Sequence, residues 1–443
     1  MAEWVYHISL AIADDDKKRF LLLPDGENLT LPRFTLHTFF THVYVLTREI
    51  QQQWGGDMVI LRQLIRQRNE ETQVMKALLL MDNRTPNWKP PQGSRWVDRA
   101  GLDALVLADE WMRPTLVRVL DTLNEAPPAA RPAWFLPGWF AEASQWITES
   151  LTVKGYKLLQ RPEQFKQGTI SSVLLAETSS GNVYFKVAVA LPLFGNEPEL
   201  SAALGRLYPD LIEAPLAIDA ARCWMLTADI GTELRASKPS VEMMENVVRT
   251  FARLQIDSAA QIDTLFAAGC LDRRIDVLVG QIDGLLADEG CYAPLTAEER
   301  AAWQASGDQL KALCRQLTTY NLPYTLAHGD FHAGNIALDG DKIRFFDWTD
   351  ACVTHPFFDL AVLIDFDADG RGEAMRDAYL AEWTAYEPPE RLQEAFAIGY
   401  ILGALHQTVS YQGIFNGVEA DQRVEWDTGV PFFARRIMQQ LNA

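Results

Sequence analysis

Prolines at positions 127, 128 and 132, set among alanines from Ala126 to Ala133, forbid a helix across this stretch and offer nothing there to bury. A chain of 443 residues broken in this way is expected to fold as separate bodies, since one domain takes roughly 150 residues. Trp134, Trp139, Phe140 and Trp146 follow on an amphipathic pattern. That pattern predicts a short helix whose rings dock one part of the chain on the next rather than bind a ligand.

Before the break, Val5–Ala13, Phe20–Leu23, Met58–Ile65 and Val74–Leu80 read as strands, with helices over Leu36–Trp54 and Leu102–Leu123. Residues 1–130 are therefore expected to form a small α/β domain, and residues 131–150 a linker with the docking helix. The segment Arg48-Glu49-Ile50-Gln51-Gln52-Gln53-Trp54-Gly55 resembles the end of the Nudix box, Arg-Glu-aliphatic-x-Glu-Glu-x-Gly. Gln52 and Gln53 stand where that box has its metal-binding glutamates, Phe40 where it has its earlier Glu, and Phe34 where it has its first Gly. Magnesium prefers carboxylate oxygens, and amides and a ring cannot supply the charge that diphosphate hydrolysis demands. The resemblance implies at most a degenerate Nudix-like unit, with a Nudix-type hydrolase the lesser alternative.

Charge narrows the partners. The chain carries 40 basic against 59 acidic residues, a net charge of −19, which argues against affinity for a nucleic-acid backbone. The first 150 residues hold 16 basic and 19 acidic groups, so most of the excess lies beyond them, where a cationic small ligand would be welcome and a solvated acidic surface explains the charge equally well. Five cysteines occur singly, without metal-ligand spacing. No apolar run approaches the ~18 residues of a membrane span, and the start lacks the pattern of a secretion signal, so a cytoplasmic protein is expected.

The chemistry concentrates late in the chain. In His328-Gly329-Asp330-Phe331-His332-Ala333-Gly334-Asn335, followed after a gap by Phe345-Phe346-Asp347-Trp348, three oxygen-bearing side chains recur around short apolar runs. Phosphoryl transfer to an alcohol needs one carboxylate to orient the hydroxyl and take its proton, and further oxygens to fix magnesium on the nucleotide phosphates. Taken singly, an Asp or Asn in a turn usually bonds its own backbone. Their joint spacing is what points to catalysis.

These motifs, with His355-Pro356-x-x-Asp359-Leu360 after them, resemble the aminoglycoside phosphotransferase and choline kinase branch of the kinase-like fold over residues 150–443. The resemblance implies an α+β chain: a bilobal protein-kinase-like fold, with a small β-rich N-lobe at 151–232 and a larger helical C-lobe at 233–443, preceded by the separate α/β domain. Position by position it implies Asp330 as catalytic base, Asn335 and Asp347 as magnesium ligands, and Asp359 as a buried brace for the catalytic loop. His328 is assigned to structure, while His332 and Asp350 remain open between a site role and a bystander.

Upstream, Lys186 on the predicted strand Val183–Val187 is expected to grip the nucleotide phosphates, paired with a carboxylate from the next helix, Glu197 in preference to Glu199. The turn at Gly168, Ser171 and Ser172, by itself a hairpin turn, is expected from its place before Lys186 to lie over the phosphates, and Met225–Ala228 is either a strand against the adenine or equally a core strand. No P-loop or Rossmann motif occurs. The expected activity is ATP- and Mg2+-dependent phosphorylation of a hydroxyl on a small, amine-bearing acceptor, with GTP as a further possible donor and an inactive nucleotide-binding module as the alternative.

One decoy is removed by its last residue. Asp365-Phe366-Asp367-Ala368-Asp369-Gly370 begins like a calcium loop, but Arg376 occupies the position that must be Glu. This acidic stretch, with His406, Gln407, Tyr411, Trp426 and Asp427, is read as a place to bind the acceptor or as ordinary packing.

Overall fold

In the computed structural model, which describes residues 4–37, 43–69, 71–340 and 342–442, the chain forms two compact units. One comprises residues 1–187 with 419–422, the other residues 188–418 with 423–443. No helix among the described residues is long and apolar enough to cross a membrane.

The first unit begins with β1 (Val5–Ile12), β2 (Arg19–Asp25), β3 (Asn28–Thr30), β4 (Arg33–Leu36), α1 (Tyr44–Trp54), β5 (Met58–Asn69), β6 (Val74–Asn83), β7 (Arg95–Asp98), α2 (Arg99–Ala104) and α3 (Arg113–Thr122). Its main sheet has the order β4-β1-β6-β5, with β1 and β6 parallel at its centre. Those two strands are nearly continuous apolar runs because both their faces are covered. Ile8, Leu10, Met75, Leu79 and Met81 pack with Leu46 and Ile50 of α1, while Ala11, Leu78 and Leu80 pack with Leu102, Leu116 and Val119 of α2 and α3.

Two expected helices are corrected. Leu36 lies in strand β4 and the helix begins only at Tyr44, with Phe40 outside the described residues. Phe34, also on β4, is a buried core residue edge-on to Trp54. The span 102–123 is not one helix: α2 ends at Ala104, a turn intervenes, and α3 restarts where Pro114 suits a first turn. Glu110 accepts from Leu107 N at 2.8 Å, and Arg113 donates to Glu110 and to the Leu105 carbonyl, so side chains satisfy the broken backbone.

The same unit continues through α4 (Trp139–Val153), β8 (Glu163–Gln167), β9 (Ser171–Thr178) and β10 (Gly181–Ala188), which lie in the order β10-β9-β8. Trp134 lies in a short turn before α4, and Trp139 and Trp146 both meet Phe185 of β10, at 6.0 and 5.8 Å. Strand β5 ends the main sheet and its register slips after Ile60. There the buried Gln164 of β8 closes the exposed edge, accepting from Ile60 N at 2.7 Å and donating to Ile60 O at 2.8 Å. Arg48 of α1, the leading residue of the Nudix-like segment, is committed to Glu163 and Glu177, and Gln52 and Gln53 are exposed. Buried Arg62 lies 3.2 Å from Asp421 and 3.7 Å from Glu419, and Glu419 also takes a bidentate bond from Arg131.

The second unit contains α5 (Glu197–Leu207), β11 (Ala217–Asp219), β12 (Trp224–Ala228), β13 (Thr232–Glu233), α6 (Leu234–Ser237), α7 (Val241–Ser258), α8 (Ile262–Ala267), β14 (Leu271–Asp272), α9 (Ile275–Ala287), α10 (Ala297–Ala305) and α11 (Gly307–Leu317). It ends with β15 (Thr325–Ala327), β16 (Ile336–Asp339), β17 (Lys342–Phe345), β18 (Cys352–Thr354), α12 (Leu360–Asp365), α13 (Gly372–Ala381), α14 (Pro389–Gly417) and α15 (Gly429–Leu441). Two small sheets, β14-β18-β15 and β13-β16-β17, sit among the helices. Helix α7 places Val247, Val248, Phe251 and Leu254 inward at helical spacing, and Phe251 stacks on Phe331 at 3.9 Å. This core is the floor beneath the loop that carries Asp330.

Candidate active site

Strand β15 delivers the chain to His328, Gly329 and Asp330, and β16 takes it up again after Asn335. Gly329 has a φ of +81°, and a Cβ there would lie 2.2 Å from the Asp350 carbonyl oxygen, so only glycine fits. His328 is fully buried. Its Nδ1 accepts from Asp330 N at 3.4 Å, which leaves Nε2 to donate to the Phe346 carbonyl at 2.8 Å. Burial lowers its basicity, so the ring is a neutral strut between the loop and the segment leading to Asp347.

Beneath the loop, the buried carboxylate of Asp359 accepts from His328 N at 2.8 Å and from Gly329 N at 2.9 Å. Gln255 adds a third donor at 3.3 Å. Burial pushes this carboxyl up to about 7, against the two amide bonds that pull it down. Gln407 of α14 donates to the Gly329 carbonyl, so the loop is held from a second side.

The side chain of Asp330 is 43% exposed, and His332 Nε2 stands 3.4 Å from its Oδ2. Asn335 is buried, and its Nδ2 donates to the Asp330 carbonyl at 2.9 Å and to Asp330 Oδ2 at 3.2 Å. With the amide nitrogen so used, Oδ1 is the atom of Asn335 that can face a cation. Asp347, after β17, has a φ of +67°, a left-handed conformation that is uncommon outside glycine and clusters at functional sites. Its Oδ1 lies 3.1 Å from the hydroxyl of Thr349. An amide oxygen and a carboxylate are hard donors of the kind magnesium takes, so these residues fit the ion the motif implies.

Glu197, at the start of α5, is buried and accepts from Thr349 at 2.8 Å, whereas Glu199 is exposed. Pro198 takes its place in the first turn, and Asn196 caps the helix by accepting from Glu199 N. In the first unit, β10 buries Val183, Phe185 and Val187 and leaves Lys186 half-buried on its other face. The turn from β8 to β9 closes with Gly168 N donating to Ser171 O at 2.9 Å, and Trp134 Nε1 donates to Gly168 O at 2.8 Å. Ser172 is fully buried, with its hydroxyl donating to Gln167 at 2.7 Å, so of the three turn residues it is the one spent inside the protein.

The residues offered for acceptor binding divide in the same way. His406 is buried against Cys352, and the carboxylate of Asp367 is held by Arg371, so these are packing. Tyr411 and Trp426 have ring centroids 6.0 Å apart. Burial, with the nearby charges of Asp330 and Asp350, pushes the Tyr411 phenol up to about 12. Nothing in the sequence singles out Thr349 or Gln255, since a Thr two residues after an Asp looks like any turn residue and Gln255 is one polar position on an amphipathic helix.

The model of the phosphotransferase enzyme family matches residues 163–395. The chain belongs to that family. Its fold is the α+β, kinase-like fold of the family, with a smaller β-rich region ahead of the matched span. The match begins at Glu163, so the likeness of residues 48–55 to a Nudix box rests on those residues alone. Among solved structures, a choline/ethanolamine kinase family protein from Mesorhizobium loti is 16% identical, with a TM-score of 0.49 over 68% of this chain and 95% of that one. The choline kinase of Cryptosporidium parvum is 13% identical, with a TM-score of 0.49 over 63% and 88%. A macrolide 2'-phosphotransferase from Brachybacterium faecium is 17% identical, with a TM-score of 0.45 over 65% and 98%. No curated protein matches.

Proposed function

We propose that this phosphotransferase moves the γ-phosphoryl group of ATP to a hydroxyl of a small, amine-bearing molecule. The observation that carries the reading is the exposed Asp330 carboxylate, fixed through Oδ2 by the buried Asn335 amide and seated on the Gly329–Asp359 brace. That oxygen is steady while the rest of the carboxylate remains open to an acceptor.

Asp330 orients the acceptor hydroxyl and takes its proton as the acceptor oxygen bonds to the γ-phosphorus. The bond from that phosphorus to the bridging oxygen breaks, and ADP leaves with the electron pair. Asn335 through Oδ1 and Asp347 through its carboxylate would hold Mg2+, which when bound neutralises charge on the transferring phosphate. Lys186 and the Gly168–Ser171 turn serve the nucleotide phosphates, with Ser172 left out because its hydroxyl is buried. An amine on the acceptor would suit the carboxylate of Asp330, whose side chain is 43% exposed. Nucleotide hydrolysis at residues 48–55 has no support, because Gln52 and Gln53 offer amides where a metal would need carboxylates.

The test is a panel of amino alcohols, amino sugars and aminoglycosides, scored by ADP release above the acceptor-free rate, on wild type, Asp330→Asn and Asp347→Asn. Asp330→Asn should lose at least ~100-fold in turnover with nucleotide affinity unchanged, because the base touches only the acceptor. Asp347→Asn should weaken binding of the metal nucleotide itself. Full activity of Asp330→Asn with any acceptor would remove the mechanism, and ADP release with none of the panel would remove the amine-bearing acceptor.

A further inference from the structure

The turn after Asp347 places one buried hydroxyl between two carboxylates. Thr349 is 5% exposed, its Oγ1 stands 2.8 Å from Glu197 Oε2 and 3.1 Å from Asp347 Oδ1, and its carbonyl accepts from Gly195 N at 3.1 Å. Gly195 is the residue before Asn196, the cap of α5. One side chain and one peptide group thus tie the start of α5 to the segment that carries Asp347.

A threonine hydroxyl has a single proton, so it can fully satisfy only one carboxylate at a time, and the other meets it as a shared or weakened bond. Two carboxylates drawn to the same hydroxyl are held near one another, which concentrates negative charge where a cation is to bind. Asp347 reaches this arrangement through an unfavoured backbone, at φ +67°, which the surrounding structure must hold in place.

We propose that Thr349 is a positioning residue of the metal–nucleotide site: its hydroxyl sets the carboxylate of Asp347 and fixes it relative to Glu197. This rests on the reading of Asp347 as a metal ligand. Removing the hydroxyl takes one bond from each carboxylate, without removing either charge.

The test compares Thr349→Val, which keeps the shape without the hydroxyl, with Thr349→Ser, which keeps the hydroxyl without the methyl. Binding of Mn2+·ATP is measured by calorimetric titration, nucleotide KM and kcat by ADP release, and folding by circular dichroism. Thr349→Val should weaken Mn2+·ATP binding roughly tenfold, the size expected for a lost bond to a charged acceptor, and raise nucleotide KM more than it lowers kcat. Thr349→Ser should bind within about twofold of wild type, which shows the hydroxyl at work even where the valine variant folds poorly. Wild-type affinity in a folded Thr349→Val overturns the proposal, as does a folded Thr349→Ser that binds as weakly as the valine variant. If the wild type binds no Mn2+·ATP, the reading of Asp347 falls and this proposal with it; if the wild type binds and only the Thr349 comparison fails, the reading of Asp347 stands.

Discussion

Replacing Gly329 with alanine should damage the fold and the site together, by amounts that the local geometry allows one to work out. Two costs add. The residue has a φ of +81°, and a left-handed backbone costs an L-residue about 1–2 kcal/mol. Its new Cβ would lie 2.2 Å from the Asp350 carbonyl oxygen, where carbon–oxygen contacts ordinarily stop near ~3.3 Å, so the two segments must part by about 1 Å. Forced expansion of a packed interior costs about 1–3 kcal/mol, bringing the total to roughly 2–5 kcal/mol. In a unit of this size that lowers the melting temperature by roughly 4–20 °C. The movement falls on the peptide next to Asp330, the proposed base, and a displacement of about 1 Å in such a group would cost on the order of 100-fold in rate. Scanning calorimetry beside ADP release would measure both effects. Gly370→Ala is the control, since Gly370 has a φ of +72° and a Cβ added there would meet nothing within 4 Å, so it should bear only the backbone cost and keep its activity. Wild-type melting and turnover in Gly329→Ala would refute the reasoning.

Two further outcomes follow from buried charge. Asp359 titrates at about 7 in the folded protein but at about 4 when unfolded, so the folded state holds the proton more tightly; the stability from this group is complete below about pH 4 and is lost as pH rises through 7. Asp359→Asn should therefore flatten the fall in melting temperature between about pH 5 and 8, and an unchanged slope would count against it. Glu419→Gln leaves Arg62 and Arg131 short of a charged partner in the first unit and should cost about 3 kcal/mol in denaturant unfolding; a change below about 0.5 kcal/mol would show that the pairing is not needed there.

The order of motifs was readable in the chain because the proposed catalytic residues are neighbours in sequence. His328 to Asn335 and Asp347 sit on one loop and the next hairpin, so the chemical requirement appears as spacing. The central strands β1, β6 and β10 were equally readable, since strands that pack on both faces or alternate between them leave a periodic record. The support beneath Asp330 was readable only in part: the motif implied Asp359, but Gln255, which donates to Asp359, and Gln407, which donates to the Gly329 carbonyl, come from two different helices and leave no spacing to read. Thr349 shows the same limit at closer range: its neighbour Asp347 was found from the motif, but its link to Glu197 spans 152 residues of chain. The break between α2 and α3 was hidden because apolar spacing carried on across it, while side-chain bonds from Glu110 and Arg113 took over the backbone groups. Local pattern records what each segment must bury, but the partners that satisfy a buried polar group are chosen by the tertiary fold, because a hydrogen bond depends on distance in space and carries no period along the chain.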